Sequence, residues 1–429
     1  MELVVYTLRS IAYVIAEPYL MMTLFILGVV LYKKNRKITA MQRMIIGDEV
    51  NSALELTLSQ IVLGIFAGTL ASIILSYLGV IFNENSGVEF LLLISILLMF
   101  IKPKFICFSY SGAILGIISL IFTYGDIKTS EGIILFNLDI TMLMTLVGVL
   151  HVIEGILVMF DGCRGAVPVF SNRNGKIIGG YALKRNWLIP VAIFLAYNSV
   201  SQGSLATESI NTPDWWPILR YDNILNMIKT SILTLTSVFG VIGYSSATFT
   251  RRKREKCVSS GIYILGYGIL LSLVAQLASL GLIFKIIVII FAPLAHEGMN
   301  LLQRKIEEKR EPLFTSNEEG LAVLEVIPFS KAYELGIRPG DKFISVNNKV
   351  INNEADIYGI IKESFNKIDL KVKDRFGEIK EYSFRHERNK RLGVVLVPRF
   401  VDMDKVVSFE ADKFSKVLKD IKEKNNKDN

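Results

Sequence analysis

Long apolar runs recur through the first 300 residues of the chain and then stop. Runs suited to crossing a bilayer fall at 18–32, 58–82, 88–102, 105–124, 137–160, 187–200, 229–249, 259–277 and 279–295. A transmembrane helix needs about 20 mostly apolar residues, so the third, sixth and ninth are short and suit tilted or re-entrant pieces. Residues 303–429 read instead as charged, water-soluble sequence. Whole-chain averages of 51% apolar and 21% charged sit near those of soluble domains and hide this division. The split excludes a single soluble globule, a fibrous chain and a disordered one. It predicts a polytopic α-helical membrane domain of about eight or nine transmembrane helices, followed by one small soluble domain. Residues 3–16, with Arg9 inside, suit an interfacial helix, and Pro18 then opens the first span.

The net charge of +8 lies mostly in alternate loops. Residues 33–43, 102–104, 164–185 and 251–256 together hold seventeen Lys and Arg, against Arg9, Lys128 and Arg220 in the loops between. That asymmetry is a positive-inside signal. It places the C-terminal part in the cytoplasm, as do Arg304, Lys305, Lys309 and Arg310 just beyond the last run. Nine spans then put the N-terminus outside. The soluble part has no basic stripe with interleaved aromatics, so nucleic acid is not an expected partner; the lipid bilayer is. Met1-Glu2 leads directly into apolar sequence, so no cleaved leader is expected. Cys107, Cys163 and Cys257 show no CxxC spacing and are expected to be free thiols facing a reducing compartment. The largest outer loop, 201–228, carries Trp215-Trp216-Pro217, which reads as an interfacial anchor. The inner loop 163–186 carries Asn174-Gly175 between short β-prone runs and reads as a hairpin.

Ionisable groups inside apolar runs are costly and so are functional candidates. His151 and Glu154, three apart, share a helix face; His296 and Glu297 close the last run at a similar depth. These four form a candidate intramembrane polar cluster. Hydrogen bonding between helices explains it better than a metal site, and no metal ligand, cofactor or catalytic residue is expected. His296-Glu297-Gly298-Met299-Asn300 begins like the HExxH of an intramembrane zinc protease, but position 300 is Asn and the second histidine is missing. No GxSxG occurs either. Lys285 and Asp139 are expected to snorkel or pair. A degenerate intramembrane protease of the site-2 type, and a transporter or sensor, stand as the alternatives to a non-catalytic protein.

From Glu318 the pattern changes to short strands: Leu321–Val326, Lys342–Val346, 368–373, 378–385 and 392–397, with a helix at 354–364. "GLAVLEVIPFSKAYELGIRPGDKFISVNNKVI", with Gly336, Gly340 and Asp341 in register between apolar positions, resembles a bacterial PDZ domain. Phe329 and Asn348 stand where that family usually has glycine. The resemblance implies a small α+β domain over 315–398, circularly permuted so that its carboxylate-binding loop comes last, at Leu392, Gly393, Val394 and Val395. The groove would lie between that segment and Ile357, Ile360 and Ile361, and a peptide would add to it as a strand. Domain organisation is thus 1–302 transmembrane, 303–314 linker, 315–398 PDZ, and 399–429 a helix carrying Phe414, Val417, Leu418 and Ile421 followed by a disordered tail.

"HVIEGILVMFDG", "FAPLAHEG" and "RHERNKRLGVVLVP", joined to the permuted PDZ pattern, resemble the MinJ family of Gram-positive division-site topology determinants. The resemblance is loosest over the first 130 residues. It implies a multi-pass scaffold, septal or polar, that bridges DivIVA to MinD through cytoplasmic contacts. Homo-oligomerisation stays open.

Overall fold

The computed structural model describes residues 2–47, 50–128, 130, 136–198, 212–220, 222–352, 354–363, 367–385 and 391–399. Residues 400–429 of the expected helix and tail at 399–429, His386, and residues 201–211 of the outer loop lie outside the described residues. Helices α1 (Glu2–Ala16), α2 (Pro18–Ile46) and α3 (Ala53–Leu78) come first. Strand β1 (Ile81–Asn83), α4 (Phe90–Ile101), a 3-10 turn at Pro103–Ile106, α5 (Phe108–Tyr124) and α6 (Ile140–Asp161) follow. The chain then turns to β2 (Val167–Arg173), β3 (Lys176–Asn198), α7 (Asp222–Thr230) and β4 (Ser231–Thr248). Helix α8 (Lys253–Ala275) continues as a 3-10 segment, Gln276–Leu280, into α9 (Leu282–Lys309). The C-terminal part holds β5 (Phe314–Thr315), β6 (Leu321–Val326), α10 (Lys331–Glu334), β7 (Lys342–Val346), β8 (Lys349–Val350), α11 (Glu354–Glu363), β9 (Lys367–Lys373), β10 (Ile379–Arg385) and β11 (Val394–Leu396).

Among the described residues, four helices are long and apolar enough to cross a membrane: α3, α6, α8 with its 3-10 extension, and α9. The count of eight or nine is not reached. Helix α4 has 12 residues and α5 has 17. Two of the expected spans, 187–200 and 229–249, are strand instead over 187–198 of β3 and 231–248 of β4. Their composition accounts for this. Pro190 would break a helix, and Thr234, Thr236, Val238, Val241 and Ile242 are β-branched, with Gly240 and Gly243 among them.

A strand in apolar surroundings must have its backbone groups satisfied within the protein. β4 pairs antiparallel with β3 from Tyr181↔Thr248 to Asn198↔Ser231. On the other edge β2 pairs with β3 as far as Ala182, through the expected Asn174-Gly175 turn, and β1 joins in parallel from Phe194. Helix α3 covers the gap between them. A Cβ on Gly64 would lie 2.0 Å from the Leu188 carbonyl oxygen, and one on Gly68 2.0 Å from that of Pro190. One turn on, the Ala192 N–H donates to Ser72 Oγ at 2.8 Å. Two strand residues advance about 6.6 Å and four helix residues about 6.0 Å, so the two elements keep step over these turns. At the far end Trp216 Nε1–H donates to the Ser76 carbonyl (2.7 Å), and Trp215 stacks on Tyr77, so the Trp pair packs on the end of α3.

The second sheet has the order β10-β9-β7-β6-β11, with β8 on β7. Alternation along β6 and β11 gives these strands two buried faces. Leu321, Val323, Val394 and Leu396 enter the small C-terminal core with Ile357; Ala322, Leu324, Val395 and Val397 enter the large core of the helical part. Between the two halves β5 pairs with β3, the Tyr181 hydroxyl donates to the Leu324 carbonyl, and Lys253 Nζ lies 2.6 Å from Glu325 Oε2.

Candidate functional site

Two arrangements hold the candidate residues. The first lies where α5, α6, α8 and α9 meet. Helices α6 and α8 run antiparallel and touch at glycine: a Cβ on Gly148 would stand 2.8 Å from the Gly268 carbonyl, and one on Gly155 2.6 Å from that of Gly261. This close approach sets the Tyr267 ring edge-on to His151, with centroids 4.9 Å apart. On α9, Pro293 cannot donate a backbone hydrogen bond, and His296 follows one turn later. Cys107 caps the start of α5, its sulfur 3.4 Å from the Ser109 N–H.

Cys107 Sγ lies 3.0 Å from His151 Nε2 and 3.5 Å from His296 Nε2. His151 is 1% exposed, and its Nδ1 lies 2.7 Å from the Val147 carbonyl. A carbonyl only accepts, so Nδ1 carries the hydrogen and Nε2 keeps its lone pair toward the thiol. Ser109 Oγ bridges His151 Nε2 (3.2 Å) and the Tyr267 hydroxyl (2.8 Å), which donates to the Ala292 carbonyl. Glu154 Oε2 stands 3.9 Å from His151 Nε2. Glu297 turns elsewhere: it pairs with Lys104 Nζ at 2.9 Å and accepts from the Tyr110 hydroxyl at 2.7 Å. Asn300 lies 3.4 Å from His296 Nδ1. Three of the four expected polar residues therefore meet, Glu297 stands aside, and Cys107 joins them. Residues 107, 151 and 296 are too far apart in sequence for any spacing rule to find. The other flagged charges are placed too: Asp139 caps α6 by accepting from Thr141 N–H (2.8 Å), and Lys285 lies over the Tyr124 ring.

The second arrangement is the C-terminal segment around Gly393 with α11, where the resemblance places a groove. Gly336 and Gly340 turn the chain at φ 81° and 101°, and the Asp341 carboxylate accepts from the Arg338 N–H at 2.8 Å. Phe329 and Asn348 adopt φ 61° and 57°, the left-handed conformation that glycine would supply more easily. Gly393 sits at φ 80°, and a Cβ there would lie 2.2 Å from Ser330 Cβ. Its carbonyl accepts from the Ile327 N–H (2.9 Å), while that of Leu392 accepts from Ala332 (3.0 Å). Leu392 and Val394 face Ile357 in the small core, and Ile360 packs half-buried beside it. Val395 faces the helical part instead. Ile361 belongs to α11, with its side chain outside the described residues. β11 ends its sheet, and the end of α2 comes up to it: a Cβ on Gly47 would lie 1.9 Å from Arg391 Nη1.

Residues 323–368 match the family model of the PDZ domain. Fold and match together define a membrane protein that carries a PDZ domain. Over 260 residues, 60% of this chain and 65% of the relative, it is 22% identical to "Probable cell division topological determinant MinJ" of Lacticaseibacillus paracasei, and equally to that of Lacticaseibacillus casei. The chain is MinJ-like, and the match spans just under two thirds of those relatives' length. A shorter match of 77 residues, 32% identical, joins 18% of this chain to 17% of the serine protease HTRA1 of Xenopus tropicalis. Another of 105 residues, 31% identical, joins 23% of it to 24% of a Borreliella burgdorferi protein named as a zinc metalloprotease.

Proposed function

We propose that this chain is a non-catalytic membrane scaffold whose PDZ domain, on the cytoplasmic side, gathers proteins that place the division site. The observation that carries this reading is the docking of the PDZ sheet on the helical part through β5, Tyr181 and Lys253. A domain held so closely presents its groove at a fixed place above the bilayer rather than on a tether. The clustering of Lys and Arg in the sequence segments 33–43, 164–185 and 251–256, which fold as parts of α2, β2, β3 and α8, supports the cytoplasmic orientation. The similarity to MinJ supplies the division context, and by that resemblance DivIVA and MinD are the proposed partners. Glu297, bound to Lys104 and Tyr110, stands away from the histidines where a protease would need its base.

A fluorescent fusion of the full chain is expected to concentrate at septa and poles. In the same cells Ile360→Lys, which places a charge beside the groove, should leave the protein in the membrane but disperse it and lose its partners. Gly393→Glu is the poorer test, because its side chain would collide with Ser330 and break the turn itself. Even membrane fluorescence of the unsubstituted fusion would sink the division reading. Unchanged partner capture by Ile360→Lys would sink the groove.

A further inference from the structure

The cluster at Cys107 has more donors pointed at one place than helix packing requires. Sγ of Cys107, Nε2 of His151 and Nε2 of His296 lie within 4.8 Å of one another, on three separate elements. Tetrahedral zinc with Zn–S of about 2.3 Å and Zn–N of about 2.05 Å sets its sulfur and nitrogen ligands roughly 3.5 Å apart. The Cys107–His296 separation is 3.5 Å, and the Cys107–His151 separation, at 3.0 Å, opens to that value with a small shift of the thiol. The Val147 carbonyl holds His151 in the tautomer a metal needs, as outer partners of metal-bound histidines do. Asn300 can do the same for His296, its amide oxygen turned to Nδ1. Two of the chain's three histidines are in this cluster.

We propose that Cys107, His151 and His296 bind one zinc ion, and that the Glu154 carboxylate, which stands 3.9 Å from His151 Nε2 and outside that close set of three, moves in as the fourth ligand. A thiolate with two imidazoles favours zinc over the hard cations magnesium and calcium. With four protein ligands the site is closed, the mark of a structural rather than a catalytic zinc. The ion would pin the start of α5 to α6 and α9, and α9 is the helix that leads into the PDZ domain.

The test is metal analysis of the full chain purified in detergent without chelator. About one zinc per chain is expected, falling at least fivefold in Cys107→Ser and in His151→Ala, while Glu297→Gln keeps its zinc. Replacing zinc by cobalt(II) in the unsubstituted protein should give a near-ultraviolet thiolate-to-cobalt absorption and the visible bands of a tetrahedral ion. That readout needs no variant to fold. A monodisperse protein that stays metal-free after incubation with zinc and washing would overturn the proposal, leaving a purely hydrogen-bonded cluster. So would bound cobalt with no thiolate band, or zinc retained in full by both ligand variants.

Discussion

Arg185 shows how far a single side chain can depart from what its neighbours in sequence suggest. It belongs to a basic stretch that reads as a loop, yet its side chain is fully buried. Its guanidinium donates to the Asp161 carboxylate through Nε at 2.9 Å and again through Nη2, and reaches Ser59 Oγ at 2.8 Å. Trp187 Nε1–H donates to the same carboxylate oxygen at 2.9 Å. A buried pair of this kind contributes modestly as a pair, but removal of one partner leaves an uncompensated charge and costs about 3–5 kcal/mol. Asp161→Ala should therefore destabilise the chain by an amount near that range, and Asp161→Asn, which keeps an acceptor, by less. Thermal loss of monodisperse protein in detergent measures both, and an unshifted transition in Asp161→Ala would refute the pairing as a structural element.

At the scale of elements, the helices that were legible were the long apolar ones with clear caps. Ser52 opens α3 by accepting from the Glu55 N–H, and Gly79 closes it at φ 76°. The small C-terminal sheet was legible strand by strand, because its alternation and turn residues agree. The β3–β4 pair was not. Hydropathy measures how apolar a segment is and carries no record of the partner that satisfies its backbone, so a buried strand and a membrane helix look alike. The signal that could have separated them is the small-residue row Gly64, Gly68, Ser72 and Ser76, spaced by four along α3. That row tests the contact. Gly68→Ala places a Cβ 2.0 Å from the Pro190 carbonyl, and overpacking of this kind costs about 1–3 kcal/mol or more. Gly266→Ala in α8 meets nothing within 4 Å and should gain up to about 1 kcal/mol from helix propensity. Equal stabilities of the two variants would contradict the packing of α3 on β3.

On the scale of the whole molecule, the sequence divides near residue 303 but the packing does not. Leu324 and Val395 belong to strands of the PDZ sheet, yet they lie in one apolar cluster with Tyr181 and Phe314. The change in charge composition predicts a linker at 303–314, whereas α9 runs to Lys309 and β5 begins at Phe314. The cluster of Cys107 with two histidines was hidden for the same reason, since it depends on which helices meet. The end of α2 reaches Arg391, so the segment leading into β11 borders the helical part as well as the PDZ sheet. The contact at Lys253 offers a way to loosen the docking of the two halves. Its Nζ lies 2.6 Å from Glu325 Oε2, with the lysine side chain 38% exposed and the glutamate 9%. Glu325→Lys turns attraction into repulsion, and half-exposed pairs of this sort contribute about 1 kcal/mol after solvent screening. Protease cleavage between residues 310 and 314 should rise several-fold in Glu325→Lys and in Lys253→Glu, and return toward the unsubstituted rate in the double exchange. Should the double exchange cleave as fast as the singles combined, the two residues act independently, and the docking must rest on the β5–β3 pairing and the apolar contacts around Tyr181.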